Sequence, residues 1–465
     1  MYKAIGYGTI FDNHRFAKGF LMPYIEPKDY GIYTARRKQL LDHVKDQNPT
    51  SENGVIVLFA DYERGHYAFH QDATFYYYTG ITEPGAVLWI DFSGETTLYI
   101  PDFKVNRALW VVSETEKQLE QGSAEFFGFD AIEYLGKPCS GFQCYQLFTQ
   151  SEYEHVVDRL QQVVSDDGTI FTANPKNQAG YIQQRYTLDR IATFIPSFLG
   201  FIADISPIVA KMRRKKSKKE IELIYKAIEI TAVAQEAAAH RIKPGAIEYQ
   251  VQAGIEFVFT ESGCSSAFPA IVASGNNGTI LHYTLNNGTI GKNDLVLVDI
   301  GAQYNYYNAD ITRTYPASGA FTKRQQELYT IVLNLQEHIA QHAKPGVYLN
   351  NPDKPKESLN HLAQAFLKAQ GLEDATPHGI GHYLGLDVHD VGSYKEPLEV
   401  GDVITIEPGI YLPKENIGIR IEDNFWIVDD GTICLSIDIV KELDDIQDLM
   451  ATTFSDTHEQ ENKKQ

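Results

Sequence analysis

Cysteine is scarce in this chain: four in 465 residues, at Cys139, Cys144, Cys264 and Cys434. That is too few and too scattered for a disulfide framework, and no Cys-x-x-Cys or Cys/His metal spacing occurs. Cys139 and Cys144 are near enough in sequence to pair, but reduced thiols are the expectation. Long apolar runs are also missing. Nowhere do 18 apolar residues follow one another, and the opening MYKAIGYGTIFDNHRF has no apolar core of signal-peptide length. The expectation is a soluble cytoplasmic protein without a membrane partner. Positive charge is in deficit, with 41 basic against 61 acidic residues and a net charge of −20. A polyanion would be repelled, which argues against nucleic acid as a partner.

What is present is ample core-forming material, 43% hydrophobic and 12% aromatic. The length suits two or three domains. After an irregular opening, Thr34 is expected to cap a helix over ARRKQLLDHV, and GVIVLFADYE reads as a buried strand. The run DATFYYYTGITEPGAVLWIDFSGETTLYIPD reads as further strands, broken at Glu83-Pro84-Gly85 and Ser93-Gly94. Helices are expected over 115–121 and 151–164, so residues 1–205 form a mixed α/β domain. A basic run, MRRKKSKKE, then opens a long helix whose Ser217 and Glu220 are spaced as a capping box. Nuclear targeting or anion binding is one reading of those cations. A solvated helix start at a domain junction is the other, and the acidic net charge favours it. Over 206–450 the order helix, helix, hairpin occurs twice without obvious sequence identity, and 451–465 is a polar tail expected to fray.

Each hairpin of that repeat carries a pair of acids on apolar strands. Asp299 and Asp310 flank LVLVDIGAQYNYYNADITRTY symmetrically about the step from Tyr304 to Asn305. Glu407 and Glu422 do the same about the step from Lys414 to Glu415. Both pairs should therefore face each other across their strands. Like charges placed opposite are destabilising, so cations held between them are the sharper reading, against solvated or bulge-offset pairs. Four carboxylates balance two divalent ions. PHGIGHYLGLDVHD adds His378, His382 and His389, with Gly379 and Gly381 arguing against a helical zinc motif, and His282 lies in TILHYT. Hard, oxygen-rich ligation supplemented by imidazole suits Mn²⁺ better than a thiol-containing site would.

The ordered set LHY, VDIGAQYNYYNADITRT, HGIGHYLGLDVHD, IEPGIY and GIRIED resembles the pita-bread metallopeptidases that include Xaa-Pro aminopeptidase, prolidase and methionine aminopeptidase. FHQDATFYYYTGITEPGAVLWI resembles the amino-terminal domain of aminopeptidase P. The resemblance implies an α/β (α+β) architecture: a mixed α/β amino-terminal domain followed by a pita-bread catalytic domain with a pseudo-twofold helix-helix-hairpin repeat. It implies that Asp299 chelates one metal alone, that Asp310 and Glu422 bridge two, and that His382 and Glu407 complete the second. His282, His378 and His389 would face substrate and handle protons, with Glu407 moving the nucleophile's proton and Arg420 and Tyr411 in support. The family works with manganese, sometimes cobalt or zinc, on proline-containing peptides, and relatives form dimers or tetramers. Release of the first residue before proline is the favoured activity. Prolidase-type dipeptide cleavage, methionine aminopeptidase activity and a metal-free binding module are the alternatives.

Overall fold

The computed structural model describes residues 29–451 except 52, 66, 113–123, 145–148 and 176–180. The helix expected over 115–121, residues 1–28 of the irregular opening and residues 452–465 of the tail lie outside the described residues. The amino-terminal part is built on a mixed six-stranded sheet of order β4-β3-β2-β1-β5-β6. Its strands are β1 (Gly54–Phe59), β2 (Val87–Asp91), β3 (Thr96–Ile100), β4 (Ala131–Tyr134), β5 (Thr169–Thr172) and β6 (Ile202–Asp204). The helices are α1 (Tyr30–Gln47), α2 (Ala73–Thr79), the short α3 (Lys104–Ala108), α4 (Glu154–Ser165) and α5 (Ile182–Phe194). Ile56 and Leu58 of β1 pack with Leu40 and Val44 of α1, while Val55 and Val57 pack with Val156 and Leu160 of α4. Both faces of the sheet are covered, which is why β1 is apolar throughout rather than alternating.

Two expectations fail here. The first helix begins at Tyr30, not after Thr34: the Asp29 carboxylate accepts from the Gly31 N–H at 3.0 Å, and Thr34 lies inside the helix donating to the Tyr30 carbonyl. The run ATFYYYT is the helix α2 rather than a strand. Asp72 accepts from the Phe75 N–H at 2.7 Å, Gly80 closes the helix at φ 65°, and every residue between is buried. Aromatic and β-branched residues prefer strands only where a half-buried pleat receives them. Here an N-cap and a left-handed C-cap enclose seven residues, and packing on all sides decides.

The second part begins with α6 (Ser206–Arg214) and α7 (Lys218–Ala239), the latter with its capping box at Ser217 and Glu220 as expected. Helix α8 (Glu248–Glu261) follows. Next come β7 (Ser265–Ser266), β8 (Ile271–Ser274), β9 (Leu295–Ile300), β10 (Ala302–Tyr304), β11 (Tyr307–Asn308) and β12 (Ile311–Pro316). The second repeat has α9 (Lys323–His342), α10 (Leu359–Ala369), β13 (Val403–Ile406), β14 (Gly409–Leu412), β15 (Ile417–Arg420), β16 (Asp423–Val428) and β17 (Gly431–Cys434). The basic run is not a solvated helix start. Arg213, Arg214 and Lys216 are buried, with Arg214 gripping Asp402 through Nε at 2.8 Å and Nη2 at 2.6 Å. Their carboxylate partners lie over 170 residues away in sequence, beyond any local pattern.

The repeat has residue-level correspondences that coarse reading of the sequence misses. Ser217 and Thr322 each cap the first helix with a capping box, and Lys-Pro-Gly follows both helices, its Gly245 and Gly346 at φ 85° and 90°. Buried Gln235 on α7 donates to the carbonyls of Val298 and Ile311. Gln336 on α9 donates to those of Ile406 and Ile421. Each helix thus pins the hairpin of its own repeat beside the acidic residues.

Candidate metal centre

Register places the acids. In the second hairpin Ile406 pairs with Asp423 and Gly409 with Arg420, so Glu407 and Glu422 stand opposite each other, as their spacing predicts. In the first hairpin the register is shifted: Asp299 pairs with Thr312, and Asp310 is its diagonal neighbour on the same face. The turn is centred on Asn305 and Tyr306, both at positive φ (46° and 71°), because a two-residue turn of this hand needs two such residues. Symmetry about the Tyr304–Asn305 step would have left only one of them at the apex.

The two hairpins then meet. Thr312 accepts the Glu422 N–H on its carbonyl, and Asn424 is cross-bonded to the Asp310 backbone at 2.7 and 3.2 Å. This brings Asp310, His382 and Glu422, all buried, into one cluster of ligand atoms. His382 Nε2 lies 3.3 Å from Asp310, 3.8 Å from Glu407 and 4.0 Å from Glu422. Its Nδ1 donates to the Tyr383 carbonyl at 3.0 Å, which fixes the proton on Nδ1 and leaves Nε2 facing the acids. Asp299 stands beside Asp310, with Oδ2 held by Arg420 Nη2 at 2.6 Å. Thr312 Oγ1 accepts from Arg420 Nε and donates to Glu422. It was not singled out by the sequence, although its place opposite Asp299 in the ladder marks it.

The electrostatics are those of anions crowded together. Burial, then Glu422 and Asp299, push the Asp310 carboxyl well above the usual range, and burial followed by Glu422 does the same to Glu407. Glu422 is pushed up to about 7 by burial and then by Asp299. Among the described residues, Oδ1 of both Asp299 and Asp310 is buried without a hydrogen-bond partner. Such orphaned acceptors are costly unless something positive engages them. The residues present therefore fit hard divalent cations, with four carboxylates and one imidazole as candidate ligands.

The remaining candidates surround this cluster. Arg420 Nη1 donates to the Tyr411 hydroxyl at 2.9 Å, which in turn bonds His378 Nε2 at 2.8 Å. His378 is pushed down to about 4 by burial and then by Arg420. His389, its ring 4.2 Å from that of His382, is also pushed down to about 4, by burial and then by His382. His282 is exposed and near enough to act electrostatically on both. Its neighbour Tyr283 is tied to buried Glu248, which also accepts from Ser274, Asn277 and the Gly288 N–H.

Residues 222–429 match metallopeptidase family M24, and residues 33–141 match the aminopeptidase P N-terminal domain. A Xaa-Pro aminopeptidase of Escherichia coli strain K12 is 33% identical over 448 residues, spanning 89% of this chain and 96% of that relative. The chain belongs to the M24 metallopeptidases. Among them, a Xaa-Pro dipeptidase of Pyrococcus furiosus is 39% identical, but over 232 residues, 49% of this chain and 64% of that protein. Aminopeptidase P from Escherichia coli with the inhibitor Pro-Leu superposes at a TM-score of 0.74 and 27% identity, covering 92% of this chain and 99% of that one. The chain thus has the M24 architecture of a mixed α/β amino-terminal domain and a pita-bread catalytic domain. Among the described residues no helix is long and apolar enough to cross a membrane.

Proposed function

We propose that this M24 protein is a Xaa-Pro aminopeptidase that uses two divalent metals, Mn²⁺ foremost with Co²⁺ or Zn²⁺ as substitutes, to release the first residue of peptides with proline second. The supporting observation is that its likeness to aminopeptidase P runs through both domains, whereas its likeness to the dipeptidase covers about half the chain. Residues 1–205 form the amino-terminal domain and 206–450 the catalytic one in this reading. Asp299, Asp310, His382, Glu407 and Glu422 hold the metals, which when bound acidify the attacking water and polarise the scissile carbonyl. Glu407 accepts a proton from that water and passes it to the leaving proline nitrogen. His389, held neutral by burial, presents a hydrogen-bonding ring nitrogen to the substrate rather than added charge, whereas neutral His378 acts from a fixed position, its Nδ1 donating to the Gly379 carbonyl and its Nε2 bonded to Tyr411. Arg420 and Tyr411 hold His378 through the Tyr411 hydroxyl, and exposed His282 faces the substrate. The four free cysteines fit a reducing compartment, so cytoplasmic residence is part of the proposal, as is a homodimer or homotetramer.

Dipeptide-only cleavage is the second reading, favoured by the 39% identity of the catalytic half to the dipeptidase. Specificity constants of Mn²⁺-loaded protein on a Xaa-Pro dipeptide and on a Xaa-Pro-Xaa peptide decide between them. The longer peptide should win, and chelation should abolish its cleavage until Mn²⁺ is returned. Preference for the dipeptide would replace the first reading by the second. Full activity in verified metal-free protein would overturn both.

A further inference from the structure

The loop that carries His382 and His389 is anchored by a buried ion cluster whose cations, Arg213 and Lys216, lie more than 170 residues earlier in the chain. Asp390, whose side chain is 1% exposed, takes two cations at once: Arg213 Nη2 at 2.6 Å on Oδ1 and Lys216 Nζ at 2.9 Å on Oδ2. Both cations are equally buried. The same Arg213 nitrogen reaches Asp387 at 2.7 Å, and its Nη1 donates to Thr74 Oγ1, on α2 of the amino-terminal domain, at 3.1 Å. The backbone completes the connection. Asp390 N–H donates to the Tyr383 carbonyl at 2.9 Å, and that carbonyl is the acceptor for His382 Nδ1 at 3.0 Å. One chain of contacts therefore runs from Thr74 through Arg213, Asp390 and Tyr383 to His382, with His389 attached directly to Asp390.

Burying ions at a junction costs more desolvation than apolar packing would, so stability alone gives little reason for this cluster. What ion pairs supply is direction. Two cations on opposite oxygens of one carboxylate fix its plane, and the shared Tyr383 carbonyl passes that constraint to the imidazole, as partners behind metal-ligating histidines do.

We propose that Arg213 and Lys216 are positioning residues that act through Asp390 and the Tyr383 carbonyl to orient His382 and place His389, tying the start of the catalytic part and the amino-terminal domain to the metal centre. The inference rests on the reading of His382 as a metal ligand. Full-length protein stripped of metal and titrated with Co²⁺ tests it, because cobalt's visible absorption reports ligand geometry independently of turnover. Lys216→Met should weaken Co²⁺ binding and lower kcat by roughly 10- to 100-fold, the usual effect of losing such a partner, with an altered spectrum and little change in KM. Lys216→Arg should recover most of both. Thr74→Val, which removes the hydrogen bond to Arg213 together with one to Tyr181, should shift the spectrum in the same direction by less, and it carries the test if Lys216→Met does not fold. Arg107→Met is the control. It breaks a buried pairing with Glu63 inside the amino-terminal domain and should lower thermal stability with the cobalt spectrum unchanged. Wild-type spectra and affinities in Lys216→Met and Thr74→Val, or an equal spectral change in Arg107→Met, would overturn the positioning role. Failure of the wild-type protein to bind Co²⁺ would overturn the metal reading beneath it.

Discussion

Asp310 is buried among the other acids of the cluster. Burial, then Glu422 and Asp299, raise its carboxyl, which lies 3.3 Å from His382. Asp310→Asn should lower turnover by on the order of 10³, the scale of losing an essential electrostatic stabiliser. A variant that keeps both metals and more than about a tenth of wild-type turnover would remove Asp310 from the bridging position. The histidines should separate by role. His382→Ala should cost metal occupancy, whereas His378→Ala and His389→Ala should leave occupancy intact and lower kcat. Elemental analysis of the three variants checks this, and equal metal loss in all three would mean that the imidazole ligand is misassigned. These residues were visible in the sequence because acids on apolar strands and histidines beside glycines are costly choices for a plain core. Thr312 and Glu248 were not visible, since a threonine in a strand and a glutamate opening a helix are ordinary there.

At the scale of elements, each first helix of the repeat holds its hairpin through one buried glutamine. Gln336→Leu would strip the carbonyls of Ile406 and Ile421 of their donor, at a cost of ~1–3 kcal/mol. Urea unfolding should show it as a lowered midpoint at unchanged slope, and an unmoved midpoint would show that water or another donor takes over. Helix α2 supplies a pH prediction. Burial holds its cap Asp72 at about 6, up from 3.8, although the Phe75 N–H works against the shift. The folded state then binds a proton that the unfolded state has already released. The stabilisation from Asp72 is complete below about 3.8 and is lost as pH rises through about 6. Asp72→Asn keeps a cap oxygen but cannot titrate, so its stability relative to wild type should rise across that window. A constant difference between the two proteins at all pH values would refute the shift.

Among the described residues, one of the apolar clusters crosses from the amino-terminal part into the catalytic part. A continuous apolar cluster runs from Leu40 and Ile56 of the amino-terminal part through Ile208 and Ile224 to Ile311, Leu384 and Val403 of the catalytic part. The first acidic hairpin is also gripped at its tip from the amino-terminal side. Tyr306 stacks on Tyr76 at 3.9 Å, its hydroxyl accepts the Gln71 N–H, and His70 bonds Gln303. Calorimetry of the intact protein should therefore give a single cooperative transition, and two well-separated transitions would show that the parts fold independently. The hairpin bearing Asp299 and Asp310 is thus seated in part by the amino-terminal domain.

By itself the sequence determined the class of chemistry and the repeat. Paired acids, clustered histidines, capping boxes and amphipathic helices are local patterns, and local patterns record what each element must satisfy. Tertiary structure alone decided three things. It set the register of the first hairpin, because the turn forms where two residues accept positive φ rather than at the midpoint of its acids. It made a helix of the aromatic run Ala73–Thr79, because burial on all sides outweighs strand preference. And it turned Arg213, Arg214 and Lys216 from apparent surface charge into a buried clamp, because their partners Asp390 and Asp402 are brought to them only when the chain has folded.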